Sequence, residues 1–131
     1  MLKLSKTIEY ALMSINHINQ CDEDEPIPVK KISIKHNIPF ELLAKILQKL
    51  SKAHILKAIQ GPKGGYQLND KYKNLTLIQL IEILEGPFGI TDCLTYHNCE
   101  QISKCNIINP IEKINSQVYQ FFNQIKINEI T

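Results

Sequence analysis

Four cysteines occur in the 131 residues: Cys21, Cys93, Cys99 and Cys105. The last three repeat as C-x5-C-x5-C inside a stretch with no helical or strand pattern. In a protein expected to be cytoplasmic, clustered thiols more often serve metal or redox chemistry than structural disulfides. Thiolate is a soft ligand suited to zinc and to iron–sulfur clusters. Structural zinc sites pair their ligands with about two to four residues between them, so these wider gaps fit zinc poorly. An iron–sulfur cluster and a set of redox-active thiols remain as the two main readings. A cluster, of the 2Fe–2S or 4Fe–4S type, takes four protein ligands, so three thiols leave one to find. Cys21 qualifies by chemistry but sits at the far end of the first helix, where a small buried residue is the simpler reading. His97, Glu9 and Asp92 are the other options. An oxygen ligand would be weaker and more easily displaced, which suits a sensor better than a carrier.

A second group of residues bears charge. Residues 30–63 hold eight lysines (Lys30, Lys31, Lys35, Lys45, Lys49, Lys52, Lys57 and Lys63) against one acid, Glu41. That segment is +7, and the rest of the chain is −5 within a net charge of +2. Such a concentration is a polyanion-binding signal. Charge alone is equally compatible with a solvated lysine-rich surface in a chain full of Ile, Asn and Lys. The chain has no arginine, so any bidentate contact to guanine falls to lysine.

The elements that position these groups follow from periodicity. Leu4, Ile8, Leu12, Ile15 and Ile18 share one face of a helix over about residues 4–20. The acidic run from Asp22 to Glu25 and Pro26-Ile27-Pro28 read as an exposed loop. A short helix fits Val29–His36, with Asn37 at its C-terminal end. Pro39 opens a third helix with Leu43, Ile46, Leu47 and Leu50 as its buried stripe. HILKAIQ and YQL, on either side of Gly61-Pro62-Lys63-Gly64-Gly65, predict a β-hairpin. This order is that of a winged helix–turn–helix, in which the third helix enters the major groove and the hairpin touches the backbone or minor groove. The lysine cluster falls on these elements, and the coincidence favours double-stranded DNA as the partner.

A fourth helix is predicted over about residues 76–85, with Leu77, Leu80, Ile81 and Leu84 inward. Pro110 starts a last helix to about Ile127, with Ile111, Ile114, Val118, Phe121, Phe122 and Ile125 as its stripe. So apolar a helix packs on its own domain or on a second copy. Palindromic DNA sites favour two-fold dimers, hence the second. The expected fold class is therefore mainly α. Residues 1–75 form a winged helix–turn–helix with a small hairpin wing. Residues 76–131 form a linker helix, a cysteine loop and a long C-terminal dimerisation helix.

Composition sets the outer bounds. The chain is 44% hydrophobic with a mean hydropathy of −0.16, enough apolar material for one core. No apolar run approaches the ~18 residues of a membrane span. Lys3, Lys6 and Glu9 interrupt the N-terminal apolar stretch, which excludes a signal peptide. The expectation is a soluble, cytoplasmic protein with no membrane partner. No nucleophile–base pair or hydrolase motif is present, and the glycines of residues 61–65 lie in a hairpin, not between a strand and a helix as a phosphate loop requires. An enzyme is not expected. A basic, groove-reading segment also argues against an electron carrier or cluster scaffold.

LSKTIEYAL (Leu4 to Leu12), GPKGGYQL (Gly61 to Leu68) and the three cysteines before a long last helix together resemble the Rrf-type winged-helix regulators, the family of IscR- and NsrR-like iron–sulfur sensors. The resemblance spans essentially the whole chain. It implies a homodimeric transcription regulator, paired along the C-terminal helices, whose cysteine loop holds a cluster near the first helix of the partner. Loss or modification of the cluster would change DNA affinity. The histidine that serves some members as fourth ligand is replaced here by Ile108. Glu9 matches the acidic position that completes the site from the other protomer in NsrR-like members. The base-reading positions of the family fall on Glu41, Ala44 and Lys45. An arginine common before the wing is Gln60. The resulting expectation is a repressor sensing nitric oxide, redox state or iron–sulfur status through Cys93, Cys99, Cys105 and Glu9. Glu41, Lys45, Gln48 and Lys49 would meet the major groove. Lys63 and the amides of Gly64 and Gly65 would grip phosphates. The competing expectation keeps this fold and uses the same cysteines as a cluster-free thiol/disulfide switch.

Overall fold

Helix α1 (Lys6–Gln20) starts where Ser5 accepts the Ile8 N–H at 3.3 Å, satisfying an amide that the first turn leaves orphaned. The computed structural model describes residues 3–21, 24–91, 94 and 103–131. The inner face of α1 is Ile8, Ala11, Ser14, Ile15 and Ile18. Leu4 lies outside the helix and Leu12 is only half-buried, so the predicted stripe is rotated by part of a turn. The buried Ser14 hydroxyl donates to the Tyr10 carbonyl at 2.8 Å, which removes the cost of placing a polar group there.

Helix α2 (Val29–His36) stops at Asn37, whose φ of 54° and ψ of 47° are left-handed, as expected at that position. The Ser33 hydroxyl donates to the Ile38 carbonyl at 2.6 Å and ties the turn. Helix α3 (Phe40–Lys52) follows directly after Pro39, with Leu43, Ile46, Leu47 and Leu50 all buried. The second and third helices thus form the helix–turn–helix step. Strands β1 (Leu56–Ile59) and β2 (Gly65–Leu68) pair antiparallel, Leu56 opposite Leu68 and Ile59 opposite Gly65. Ile27 adds a further rung, exchanging two 2.9 Å backbone hydrogen bonds with Tyr66. A 3-10 turn, Asp70–Asn74, leads to helix α4 (Leu77–Glu85). Thr76 and Gln79 form a reciprocal capping box at its start.

The long C-terminal helix differs from its expected bounds. Helix α5 runs from Ile108 to Gln124, starting before Pro110 and ending before Ile127. It stops because Ile125 and Ile127 turn to the chain leading into α4. The Leu77 N–H donates to the Ile125 carbonyl at 2.8 Å, and the Ile127 N–H to the Leu75 carbonyl at 2.9 Å. A last turn, α6 (Ile127–Ile130), buries Ile127 completely and brings Thr131 into hydrogen-bond contact with the Tyr72 hydroxyl. One core therefore joins Ile8 and Ile15 of α1, Leu43 and Leu47 of α3, Leu56 of β1, Leu80 and Leu84 of α4, and Ile127. No described helix is long and apolar enough to cross a membrane.

Helices α1 and α2 are also joined by a polar contact. His17 Nδ1 and His36 Nε2 lie 2.9 Å apart with their rings edge to face. Burial, then the neighbouring His36, Lys31 and Lys35, hold the His17 pKa below its ordinary 6.5. The unfolded chain therefore binds more protons at His17 than the folded chain does. Its contribution to stability is complete above pH 6.5 and is lost as pH falls below it. Thermal midpoints measured from pH 7.5 to 5.5 should fall with acid, and His17→Gln should flatten that part of the profile.

Candidate nucleic-acid interface and cysteine segment

Burying Leu43, Ile46, Leu47 and Leu50 turns the opposite side of α3 outward. With 3.6 residues per turn that side is Glu41, Lys45, Gln48 and Lys52, and all four side chains are exposed. Ala44 lies beside them and is half-buried. Glutamate can accept from a cytosine amino group and lysine can donate to guanine, so the stripe has the chemistry to read base edges. All eight lysines of residues 30–63 are exposed.

Lys49 is also exposed, and it has a partner within the chain. It lies off the outward stripe, and its ammonium donates to the Leu84 carbonyl at 3.2 Å. That carbonyl is in the last turn of α4, where acceptors lack partners within the helix and a cation is favoured. Lys49 thus joins α3 to α4. Lys52 takes its place on the outward face. Lys52 could have been found from the sequence by following the steps of four, three and four residues from Glu41.

The wing glycines are placed by close packing. The Gly64 N–H donates to the Gly61 carbonyl at 2.9 Å, so this amide closes the turn and is not offered to a phosphate. A Cβ on Gly64 would meet the Ile59 carbonyl oxygen at 2.1 Å. Gly65 stands opposite Ile59 in the ladder, and a Cβ there would lie 2.4 Å from the Ile27 carbonyl carbon and oxygen. Gly65 thus lets the backbone at Ile27 pack onto the hairpin, while Gly64 lets the turn close on β1. Lys63 is exposed at the tip of the wing.

On the sensing side, Cys105 carries a free thiol, half-buried, two residues before the Ile107 that caps α5. Cys21 is half-buried, ends α1 and packs against the core. Cys93 and Cys99, together with Asp92 and His97, lie outside the described residues. Among the described residues no three metal-ligating side chains converge. Glu9 sits on the first turn of α1, half-exposed, with Lys6 Nζ at 3.0 Å from its Oε2. That pairing raises the Lys6 pKa. Ile108 is the first residue of α5.

The chain that leaves α4 toward these cysteines is held on α5. Phe88 packs edge-on against Tyr119 and Phe122, with centroids 6.2 and 6.0 Å away. The Ile90 N–H donates to Asn115 Oδ1 at 2.9 Å. A cavity of about 830 Å³ opens beside Phe88, between the start of α1, the end of α4 and α5. Ser5 donates to Glu85 at its edge.

A family profile, Rrf2, described as an iron-dependent transcriptional regulator, matches residues 4–131. A helix–turn–helix-type relative from Aquifex aeolicus is 28% identical over 129 residues, covering 96% of this chain and 89% of its own. The transcriptional regulator IscR of Vibrio campbellii is 23% identical over 129 residues, 98% of this chain and 77% of its own. Among solved structures, CymR, the global cysteine regulator of B. subtilis, superposes with a TM-score of 0.73 at 23% identity, covering 99% of this chain and 96% of its own.

Two substitutions separate the roles on α3. Lys52→Ala should lower the slope of log affinity for duplex DNA against log salt by about 0.9, the signature of one lost phosphate contact. Lys49→Ala should leave that slope unchanged and lower stability by about 0.5–1 kcal/mol. In the wing, Gly65→Ala should cost about 2 kcal/mol or more, read as a lower thermal midpoint, because strained backbone and a blocked approach coincide there.

Proposed function

Because the chain belongs to the Rrf2 family of transcriptional regulators, we propose that it is a cytoplasmic homodimeric repressor of a palindromic operator, governed by the state of Cys93, Cys99 and Cys105. Residues 1–75 engage DNA, and residues 76–131 pair the protomers and sense. The observation that carries this reading is the joint at Lys49. The helix with the outward polar stripe is bonded to the last turn of α4, and the chain toward the cysteines leaves from that turn.

Pairing is supported by α5. Ile107, Ile111, Ile114, Val118 and Phe121 follow one another at alternating steps of four and three residues, the spacing of a coiled-coil seam. None of the residues of α5 is buried within one chain, and Ile107, Ile114 and Phe121 are about half exposed. A second copy on a two-fold axis would cover them and set two recognition helices for successive major grooves, about 34 Å apart.

The donor set fits an iron–sulfur cluster. Thiolates are its usual ligands, the Cys105 thiol is free, and the half-exposed Glu9 carboxylate is accessible from outside the chain. Cys93, Cys99 and Cys105 would hold the cluster, with Glu9 of the partner subunit as fourth ligand. When bound, such a cluster supplies iron that reacts with nitric oxide and oxygen. Gathering the three thiolates at one point restrains the chain between α4 and α5, and releasing them frees it. Lys49 passes that restraint to α3, while Phe88 and Ile90 pass it to α5. A coupling of about 1–3 kcal/mol changes operator affinity roughly 5–150-fold.

The test is iron and sulfide analysis of anaerobically purified protein, with operator titrations of that protein and of Cys99→Ala. The expected result is a coloured protein, loss of colour in Cys99→Ala and in Glu9→Ala, and unequal operator affinities. Colourless, iron-free protein whose affinity still changes on thiol oxidation would replace the cluster with a disulfide switch. Equal affinities in every state would end the sensing claim.

A further inference from the structure

Phe40 is the first residue of α3 and is 53% exposed, although the turn around it is already filled by Ile38 and Leu43, which are 3% and 0% exposed. The core gains little from it, so any use for the ring is to be sought outside the chain. Its place supplies one. In a helix–turn–helix the N-terminal residues of the recognition helix are those that meet base edges. Phe40 adjoins Glu41, and Ala44 lies one turn further on the same side. The two form an apolar edge along the polar stripe of Glu41, Lys45, Gln48 and Lys52. The exposed Lys45 and Lys52 stand on the adjoining stripe of the same helix, so a polyanion is the occupant to which its setting is complementary.

The major groove offers apolar surface of one main kind, the C5-methyl group of thymine, and phenylalanine and alanine are side chains that contact it. We infer that Phe40, with Ala44 beside it, reads a thymine methyl in each half-site, next to the base pair read by Glu41 and Lys45. This inference rests on the DNA-binding reading above and adds a specificity determinant to it. It also fits a chain without arginine, in which discrimination cannot come from the arginine–guanine fork.

The experiment uses the full-length protein. A binding site is selected from a random duplex pool. Each thymine of the selected duplex is then replaced in turn by deoxyuridine, which removes only the methyl group. One thymine per half-site should be sensitive, with affinity falling about 4-fold, the value of one buried methyl. Phe40→Ala should bind the thymine and uracil duplexes equally at that position, and Phe40→Leu should keep part of the difference. Lys45→Ala should bind more weakly and still discriminate. If a site is selected but no thymine is sensitive, or if Phe40→Ala discriminates as well as the parent, the inference is overturned while the regulator reading stands. If no duplex is selected, the DNA-binding reading falls, and this inference with it.

Discussion

The insertion of Leu43, Ile46, Leu47 and Leu50 into the core is the constraint from which the surface chemistry follows. These side chains are 0 to 2% exposed, so α3 cannot rotate about its axis without pulling large apolar groups into water. Each fully buried leucine or isoleucine is worth about 1.5–3 kcal/mol relative to exposure, which makes a turned helix a far less stable state. The outward stripe of Glu41, Lys45, Gln48 and Lys52 is thereby held at one angle to the hairpin. The wing is set against the same core through Leu56 and through the Ile27 rung onto Tyr66.

The same core receives the other end of the chain. Ile127 enters it from the terminal turn, and backbone bonds from Leu75 and Leu77 hold Ile125 and Ile127 beside the start of α4. Helix α5 is thus anchored at its C-terminal end to its own protomer, while its seam is left for another surface. At its other end stands Cys105, and between the two Asn115 and Phe122 grip the chain that leaves α4. The cysteine-bearing segment therefore connects two helices that already touch each other and that are both tied to the core shared with α1 and α3. A change in that segment has short physical routes to α3, through Lys49 and through the shared core.

Much of this was legible from residue types. The helical stripes, the left-handed Asn37, the glycine hairpin and the order of elements follow from local rules that tertiary packing did not override. What the sequence does not show is concentrated where a group's partner is distant along the chain. The charge of Lys49 and its place on α3 suggest a groove contact, and the partner it has within the chain is hidden from the sequence. Its bond to Leu84 spans 35 residues and leaves no local pattern. The amides of Gly64 and Gly65 suggest phosphate contacts from sequence alone; the packing of Gly64 on Ile59 and of Gly65 on Ile27 is what the sequence does not show. The end of α5 was placed too far along because the apolar pattern continues through Ile127. What stops the helix is backbone pairing with residues some 50 positions earlier. The His17–His36 contact joins residues 19 apart on separate helices and was invisible for the same reason. For the cysteines, spacing and residue type still carry the argument, with Cys105 alone of the three among the described residues.

The central claim is that the state of three thiols sets the separation of two outward stripes. The most direct measurement is the distance between recognition helices in the dimer, read by pulsed dipolar spectroscopy from a non-cysteine spin label at position 48. It would be taken on anaerobic protein and on the same protein after its iron is removed. Two distinct distance distributions, with the anaerobic one matching half-sites about 34 Å apart, are the predicted result. One unchanged distribution in both states would contradict the account.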